Sequence, residues 1–130
     1  MRILVIDDDV LLRRTVTKIL VAAGHEVLSA ENGRQGMAVF RASRPQIVVT
    51  DIVMPEQEGI ETIVSMRREN PKIRIIAISG GGQVGGLDVL KMAQMLGADD
   101  VIEKPFRAAE LVTRVAALEP SLAAASGVSA

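Results

Sequence analysis

Five short apolar runs, rich in β-branched residues, recur along the chain at Ile3–Ile6, Val27–Leu28, Ile47–Thr50, Ile73–Ile78 and Val101–Ile102. Between them lie longer stretches whose apolar residues repeat with helical spacing. Leu12, Val16, Ile19, Leu20 and Ala23 form one stripe, and Gly24 follows where a helix C-terminus favours glycine. Met37, Val39 and Phe40 mark a second helix, and Ile60, Ile63, Val64 and Met66 a third. Leu87, Leu90, Met92, Ala93 and Leu96 predict a fourth, ended by Gly97, and Leu111, Val112 and Val115 a fifth. Strand–helix alternation repeated five times is the pattern of a doubly wound α/β domain, a parallel sheet with helices on both faces. The 130 residues, 48% of them hydrophobic, suffice for one domain with a real core. From Pro120 the tail is small and polar, so the domain is expected over 1–118 and a flexible C-terminal tail over 119–130.

Composition removes several function classes. The net charge is −1 and Lys and Arg are scattered, so no nucleic-acid partner is expected. There is no cysteine, which leaves out a disulfide framework and thiolate metal sites. The apolar run that opens the chain is too short for a signal peptide and no later segment can span a bilayer, so a cytoplasmic location without membrane association is expected.

The polar residues gather at the carboxyl ends of the strands. The first strand runs into Asp7-Asp8-Asp9, the third into Asp51, the fourth into Ser79 and the fifth into Glu103-Lys104-Pro105. The second ends in the less pointed Ala30-Glu31-Asn32. Open α/β sheets bind ligands beyond these ends, where the strand order reverses. With the order 2-1-3-4-5 the loaded ends fall together and the bland one lies at the edge. Asp51 itself sits in "IVVTDIVMP", almost surrounded by apolar residues, and a buried lone carboxylate needs a partner or a purpose.

Three carboxylates brought together repel one another unless a cation holds them. Oxygen ligands without His or Cys favour Mg²⁺, which often sits beside phosphate. A hydroxyl at Ser79 and an ammonium at Lys104 suit phosphoryl oxygens. A carboxylate in that setting can act as a nucleophile and form an aspartyl phosphate, and Asp51 is the candidate.

"ILVIDDD", "VVTDIVMPEQEG", "IIAISG" and "EKPF" together resemble the receiver domain of two-component response regulators, single-domain and similar to chemotaxis regulators, over about residues 1–118. The resemblance implies a flavodoxin-like (βα)5 fold of strand order 2-1-3-4-5. It implies a phosphoryl group taken from the phosphohistidine of a sensor histidine kinase or phosphotransfer protein, and a downstream protein target that the sequence does not name. By position, Asp51 accepts the phosphoryl group, Asp8 and Asp51 ligate Mg²⁺ directly, Asp7 acts through a water, and the Val53 backbone carbonyl completes the protein ligands. Ser79 and Lys104 bind the phosphoryl oxygens, and a cis peptide is implied at Lys104–Pro105. The module is then no enzyme beyond limited self-phosphorylation and autodephosphorylation.

Other readings compete. Asp9 is expected to cap the first helix rather than bind metal, and His25 to be a surface turn residue. "GGGQVG" at 80–85 matches a dinucleotide-binding pattern, with Asp99 and Asp100 downstream, but those acids precede an apolar pair instead of ending a strand. The main alternative is a haloacid-dehalogenase-type phosphatase with Asp7 as nucleophile, Ser79, Lys91 and Asp99-Asp100, which leaves Asp51 and Lys104 idle. Val101 stands where many receivers carry an aromatic residue. A switch is therefore expected to run through the backbone of the glycine-rich loop, Gly80, Gly81 and Gly82 with Val101 beside it.

Overall fold

A computed structural model describes residues 1–52, 58–79, 83–84, 87–88, 91, 94 and 97–127 of the chain. Its elements are β1 (Arg2–Ile6), α1 (Val10–Ala22), β2 (Glu26–Ala30), α2 (Gly33–Ser43), β3 (Ile47–Asp51), α3 (Glu58–Glu69), β4 (Arg74–Ser79), β5 (Gln83–Val84), β6 (Leu87–Asp88), β7 (Asp100–Glu103) and a C-terminal helix (Ala108–Gly127). Five strands pair in parallel in the order β2-β1-β3-β4-β7. In terms of the sheet's own strands this is the order 2-1-3-4-5 of a flavodoxin-like fold.

The alternation of the strands divides the core in two. Leu4, Ile6, Val48, Ile75 and Ala77 face Phe40 of α2 and Ile63 and Met66 of α3. Ile3, Val5, Val49, Ile76 and Ile78 face Val16 and Leu20 of α1 and Leu111 and Val115 of the C-terminal helix. Successive side chains of a strand point to opposite faces, so covering both faces turns period-two alternation into continuous apolar runs. β3 is buried throughout, Asp51 included. Helix starts are set by local polar chemistry. The Asp9 carboxylate accepts from the backbone N–H groups of Leu11 and Leu12, and Asn32 caps α2 by accepting from Gln35.

Three features differ from the sequence reading. Leu87, expected on a fourth helix, lies in β6, which pairs antiparallel with β5 through Val84–Leu87 and Gln83–Asp88. Gly85-Gly86 separates these pairs in sequence, a composition that short hairpins favour, and it outweighs the helical spacing of Leu87. Lys91 and Gln94 are helical. The C-terminal helix continues to Gly127, past the boundary expected at residue 118. Its added turns are rich in alanine, which needs no apolar stripe to favour a helix. His25 is enclosed rather than a surface turn residue, its side chain 9% exposed, with Nδ1 3.8 Å from a Glu119 oxygen of that helix.

The seating of α3 fixes where β3 ends. A methyl group on Gly59 would lie 2.6 Å from Ile52 Cα and 2.7 Å from the Asp51 carbonyl oxygen, closer than side-chain carbons approach backbone. Gly59→Ala must therefore push the first turn of α3 off the Asp51–Ile52 backbone. A loss of about 1–3 kcal/mol in urea unfolding is expected, the usual cost of overpacking. An unchanged unfolding midpoint would contradict this packing.

Candidate functional site

The carboxyl ends of β1 and β3 are neighbours, and they bring three acids together. One carboxylate oxygen from each of Asp7, Asp8 and Asp51 lies within 4.8 Å of the others. Asp7 and Asp51 are buried and Asp8 is exposed. Asp7 is fixed by the Asp9 backbone N–H, which donates to its carboxylate at 2.9 Å, while Asp9 turns away to cap α1. The acidic run thus divides as the sequence predicts, with Asp9 as the cap.

Lys104 enters from the far side. Its Nζ donates to Asp51 Oδ2 at 2.8 Å. β4 lies between β3 and β7, so the lysine reaches across the end of that strand, where Ser79 is wholly buried. The Lys104 backbone N–H donates to the Ser79 carbonyl oxygen at 2.6 Å. The Lys104–Pro105 peptide is cis, as the resemblance implies. Three separated stretches thereby meet at Asp51, and Ser79 ends the strand between them.

Burial pushes the Asp7 carboxyl up to about 6 from its usual 3.8, and the charges of Asp51 and Asp8 push it the same way. The Asp9 N–H and the Lys104 ammonium oppose this without cancelling it. Between about pH 4 and 6 the unfolded chain has released this proton and the folded chain still holds it.

Other predicted residues fall elsewhere. Val101 is half-buried and packs against the core face shared with α2 and α3. Val53 and Gly80, Gly81 and Gly82 lie outside the described residues. Asp100 opens β7, at the opposite end of the sheet from Asp51. Beside it Asp99 pairs with Arg67 at 2.8 Å and Arg74 at 3.5 Å and accepts the Ile75 N–H at 2.8 Å. These acids brace the base of the sheet and cannot serve a dinucleotide or a phosphatase centre at its top.

Sequence reasoning missed two contributors. Arg13 of α1 donates from its guanidinium to the Asp7 carbonyl oxygen at 2.8 Å, and the Thr50 hydroxyl donates to the Asp51 carbonyl oxygen at 3.1 Å. Both act on backbone carbonyls, which leave no mark in a sequence pattern.

A family model, the response regulator receiver domain, matches residues 3–116. The chain belongs to that family. This removes the haloacid-dehalogenase alternative, since receiver domains are signalling modules and not a catalytic enzyme family. The chain is 36% identical over 112 residues to the chemotaxis protein CheY of Thermotoga maritima, covering 85% of this chain and 91% of that protein. It is 36% identical over 118 residues to the probable transcriptional regulator ycf27 of Pyropia yezoensis, and there spans 88% of this chain but only 45% of the relative. Among solved structures, NtrX from Brucella abortus in complex with ADP superposes with a TM-score of 0.86 at 30% identity, over 98% of this chain and 28% of that one. The receiver domain of NtrX alone gives 0.78 at 30% identity, over 87% and 93%. Among the described residues no helix is long and apolar enough to cross a membrane.

The raised Asp7 carboxyl sets a pH dependence. The unfolded state binds fewer protons in the window from about pH 4 to 6, so stability falls as pH rises through it and stays lower above. Without metal, Asp7→Asn should stabilise the fold at pH 7.5 by at most about 3 kcal/mol, and not at pH 4. Urea unfolding in chelator at both pH values checks this. An equal gain at each pH would mean that packing, not charge, is responsible.

Proposed function

We propose that the chain is a phosphoacceptor: Asp51 takes a phosphoryl group from a phosphohistidine of a sensor kinase or phosphotransfer protein, and the modified domain changes its affinity for a downstream protein. The observation that carries this reading is the 2.8 Å contact of Lys104 with the buried Asp51 carboxylate, beside two more acids. A structural ion pair would not need Asp7 and Asp8 next to it.

The donor set fits Mg²⁺. Hard oxygen ligands converge within 4.8 Å, and the burial and mutual repulsion of the acids favour a cation among them. Asp8 and Asp51 would hold the ion directly, Asp7 through a water, with the Val53 carbonyl as a further ligand. When bound, the ion supplies charge neutralisation for the incoming phosphoryl oxygens.

The chain's own groups do the rest. An Asp51 carboxylate oxygen attacks phosphorus, a P–O bond forms, the P–N bond to the imidazole breaks, and the histidine leaves with a proton from solvent. Lys104 moves from the carboxylate to a phosphoryl oxygen and stabilises the charge that builds up there. The Ser79 hydroxyl donates to another, a charge-assisted bond that draws the end of β4 toward Asp51. Val101 has one χ angle and small volume, so it cannot fill the space so vacated as an aromatic ring would. The output then runs through the backbone after Ser79, the stretch that includes Gly80, Gly81 and Gly82.

Acetyl phosphate should add a single phosphoryl group to the wild type and none to Asp51→Asn, because an amide is not a nucleophile; intact-mass spectrometry reads this directly. Undiminished labelling of the variant would overturn the assignment. Mg²⁺ affinity, followed calorimetrically, should fall more than tenfold in Asp8→Ala and much less in Asp9→Ala, since Asp9 is occupied with Leu11 and Leu12. Equal losses would mean that the acidic run is in another register.

A further inference from the structure

Arg13 stands where helix physics does not favour it. It is the fourth residue of α1, whose first turn carries no acid, and the positive end of the helix dipole disfavours a cation there. It forms no ion pair with a described carboxylate. Its half-buried side chain is held instead by one backbone oxygen of the acidic run, the Asp7 carbonyl, to which the guanidinium donates at 2.8 Å. A bond from a charged donor is stronger than a neutral one and fixes its acceptor more firmly.

That oxygen belongs to the peptide unit joining Asp7 to Asp8. The unit is planar, so holding its oxygen also fixes the direction of the Asp8 N–H and the position of the Asp8 Cα. On the other side of Asp8, the Asp9 N–H donates to the Asp7 carboxylate at 2.9 Å. The Asp9 carbonyl accepts the Arg13 backbone N–H, also at 2.9 Å, and the Asp7 N–H donates to the Ala30 carbonyl at 3.1 Å. Asp8 thus lies between two peptide units that are each held by a hydrogen bond. It is itself exposed, so packing does not place its carboxylate and the backbone on either side must. The charges that act on the neighbouring Asp7 carboxyl are those of Asp51, Lys104 and Asp8. Arg13 therefore works on the backbone rather than as a counter-ion.

We propose that Arg13 is a positioning residue for the metal site: by holding the Asp7–Asp8 peptide it aims the Asp8 carboxylate at the point where Asp7 and Asp51 converge. This rests on the reading that the three acids take a divalent cation. Two effects of opposite sign then compete. As a charge, Arg13 repels an incoming cation, so its removal would strengthen binding. As a support for a ligand, its removal weakens binding, and losing a group that orients a metal ligand costs about ten- to a hundredfold in affinity. Support wins here, because the bond to the peptide is direct while the charge of a half-exposed guanidinium is screened by solvent and salt.

The test is a Mg²⁺ titration of the wild type, Arg13→Met, Arg13→Lys and Arg14→Met, followed by calorimetry and by amide-resolved NMR. Methionine keeps an unbranched apolar stem and removes every donor, and urea unfolding in chelator confirms that the variant is folded. Arg13→Met should bind Mg²⁺ about tenfold more weakly. Arg13→Lys keeps the charge and a donor but not the planar fork, and should lose about threefold. Arg14→Met removes the same charge one residue further on and should bind as tightly as the wild type or more so. In the metal-free Arg13→Met protein the Asp8 and Asp9 amide resonances should move. With acetyl phosphate, the Mg²⁺ concentration for half-maximal labelling should rise by the same factor as the affinity falls, with the rate recovered at saturating Mg²⁺. Unchanged or tighter Mg²⁺ binding by Arg13→Met would overturn the proposal and leave the metal reading intact. Should that variant not fold, wild-type affinity in Arg13→Lys would overturn it instead. Absence of saturable Mg²⁺ binding in the wild type would overturn the metal reading and this proposal with it.

Discussion

The contact between Asp51 and Lys104 is the constraint around which the rest is arranged. Asp51 is 5% exposed, and a carboxylate in that position is stable only with a charged partner at hand. The partner comes from beyond β7, two strands away, so the ammonium can reach Asp51 only if β4 ends in a small residue under its path. Ser79 is that residue. The registers enforce the alignment: Asp51 stands opposite Ile78, and Ser79 opposite Glu103, so β3, β4 and β7 end nearly level. A slip of one residue would turn each strand's apolar set to the wrong face, so the two-sided core locks the site as well as the sheet.

The two ends of the sheet use charge differently. At the amino-terminal end acids and bases are matched. Asp99 stands between Arg67 and Arg74 and accepts a backbone N–H, and Arg114 holds Asp100 at 2.7 Å. Such partly exposed pairs are each worth little, but here they tie α3 and the C-terminal helix to the strand starts. At the carboxyl-terminal end three acids meet one lysine. Charge left unbalanced within a scaffold balanced elsewhere is what a binding site requires, because stability does not then depend on the groups that must change partners.

Much of this was legible in the sequence, for definite reasons. The strands could be read because burial on both faces makes them continuous apolar runs. The convergence of the candidate residues could be read because ligand groups in such sheets gather at strand ends, so Asp7, Asp8, Asp51, Ser79 and Lys104 stood out by position and not by type alone. Leu87 was misread because its helical spacing to Leu90 was real, while its antiparallel pairing with Val84 is a cross-strand contact that apolar periodicity does not register. The helical turns beyond residue 118 left no periodic mark, because alanine favours a helix without marking a face. Gly59 was invisible for another reason: its role depends on how near the backbone of Asp51 and Ile52 passes, and that distance exists only in three dimensions.

The cluster also explains why the fold tolerates a site that costs it stability. Two unit charges 4.8 Å apart repel by roughly 3 kcal/mol at an effective dielectric of about 20. Three ionised acids at that spacing would oppose folding by an amount comparable to the whole stability of a small domain. One lysine offsets part of this, and Asp7 offsets more by keeping its proton to about pH 6. Asp8 sheds its share into solvent through exposure. The remaining excess of negative charge is a driving force: any cation that enters gains what the acids lose to one another, and any group that draws Lys104 away from Asp51 must bring its own compensation. A phosphoryl group alone adds more anion and would be rejected. With a divalent cation held by these acids, as proposed, the balance would reverse, and the ammonium could exchange one oxygen for another at little net cost. On the proposed reading, the strained electrostatics of the resting state would make acceptance of a phosphoryl group conditional on a metal, a dependence that a neutral or fully paired site could not impose.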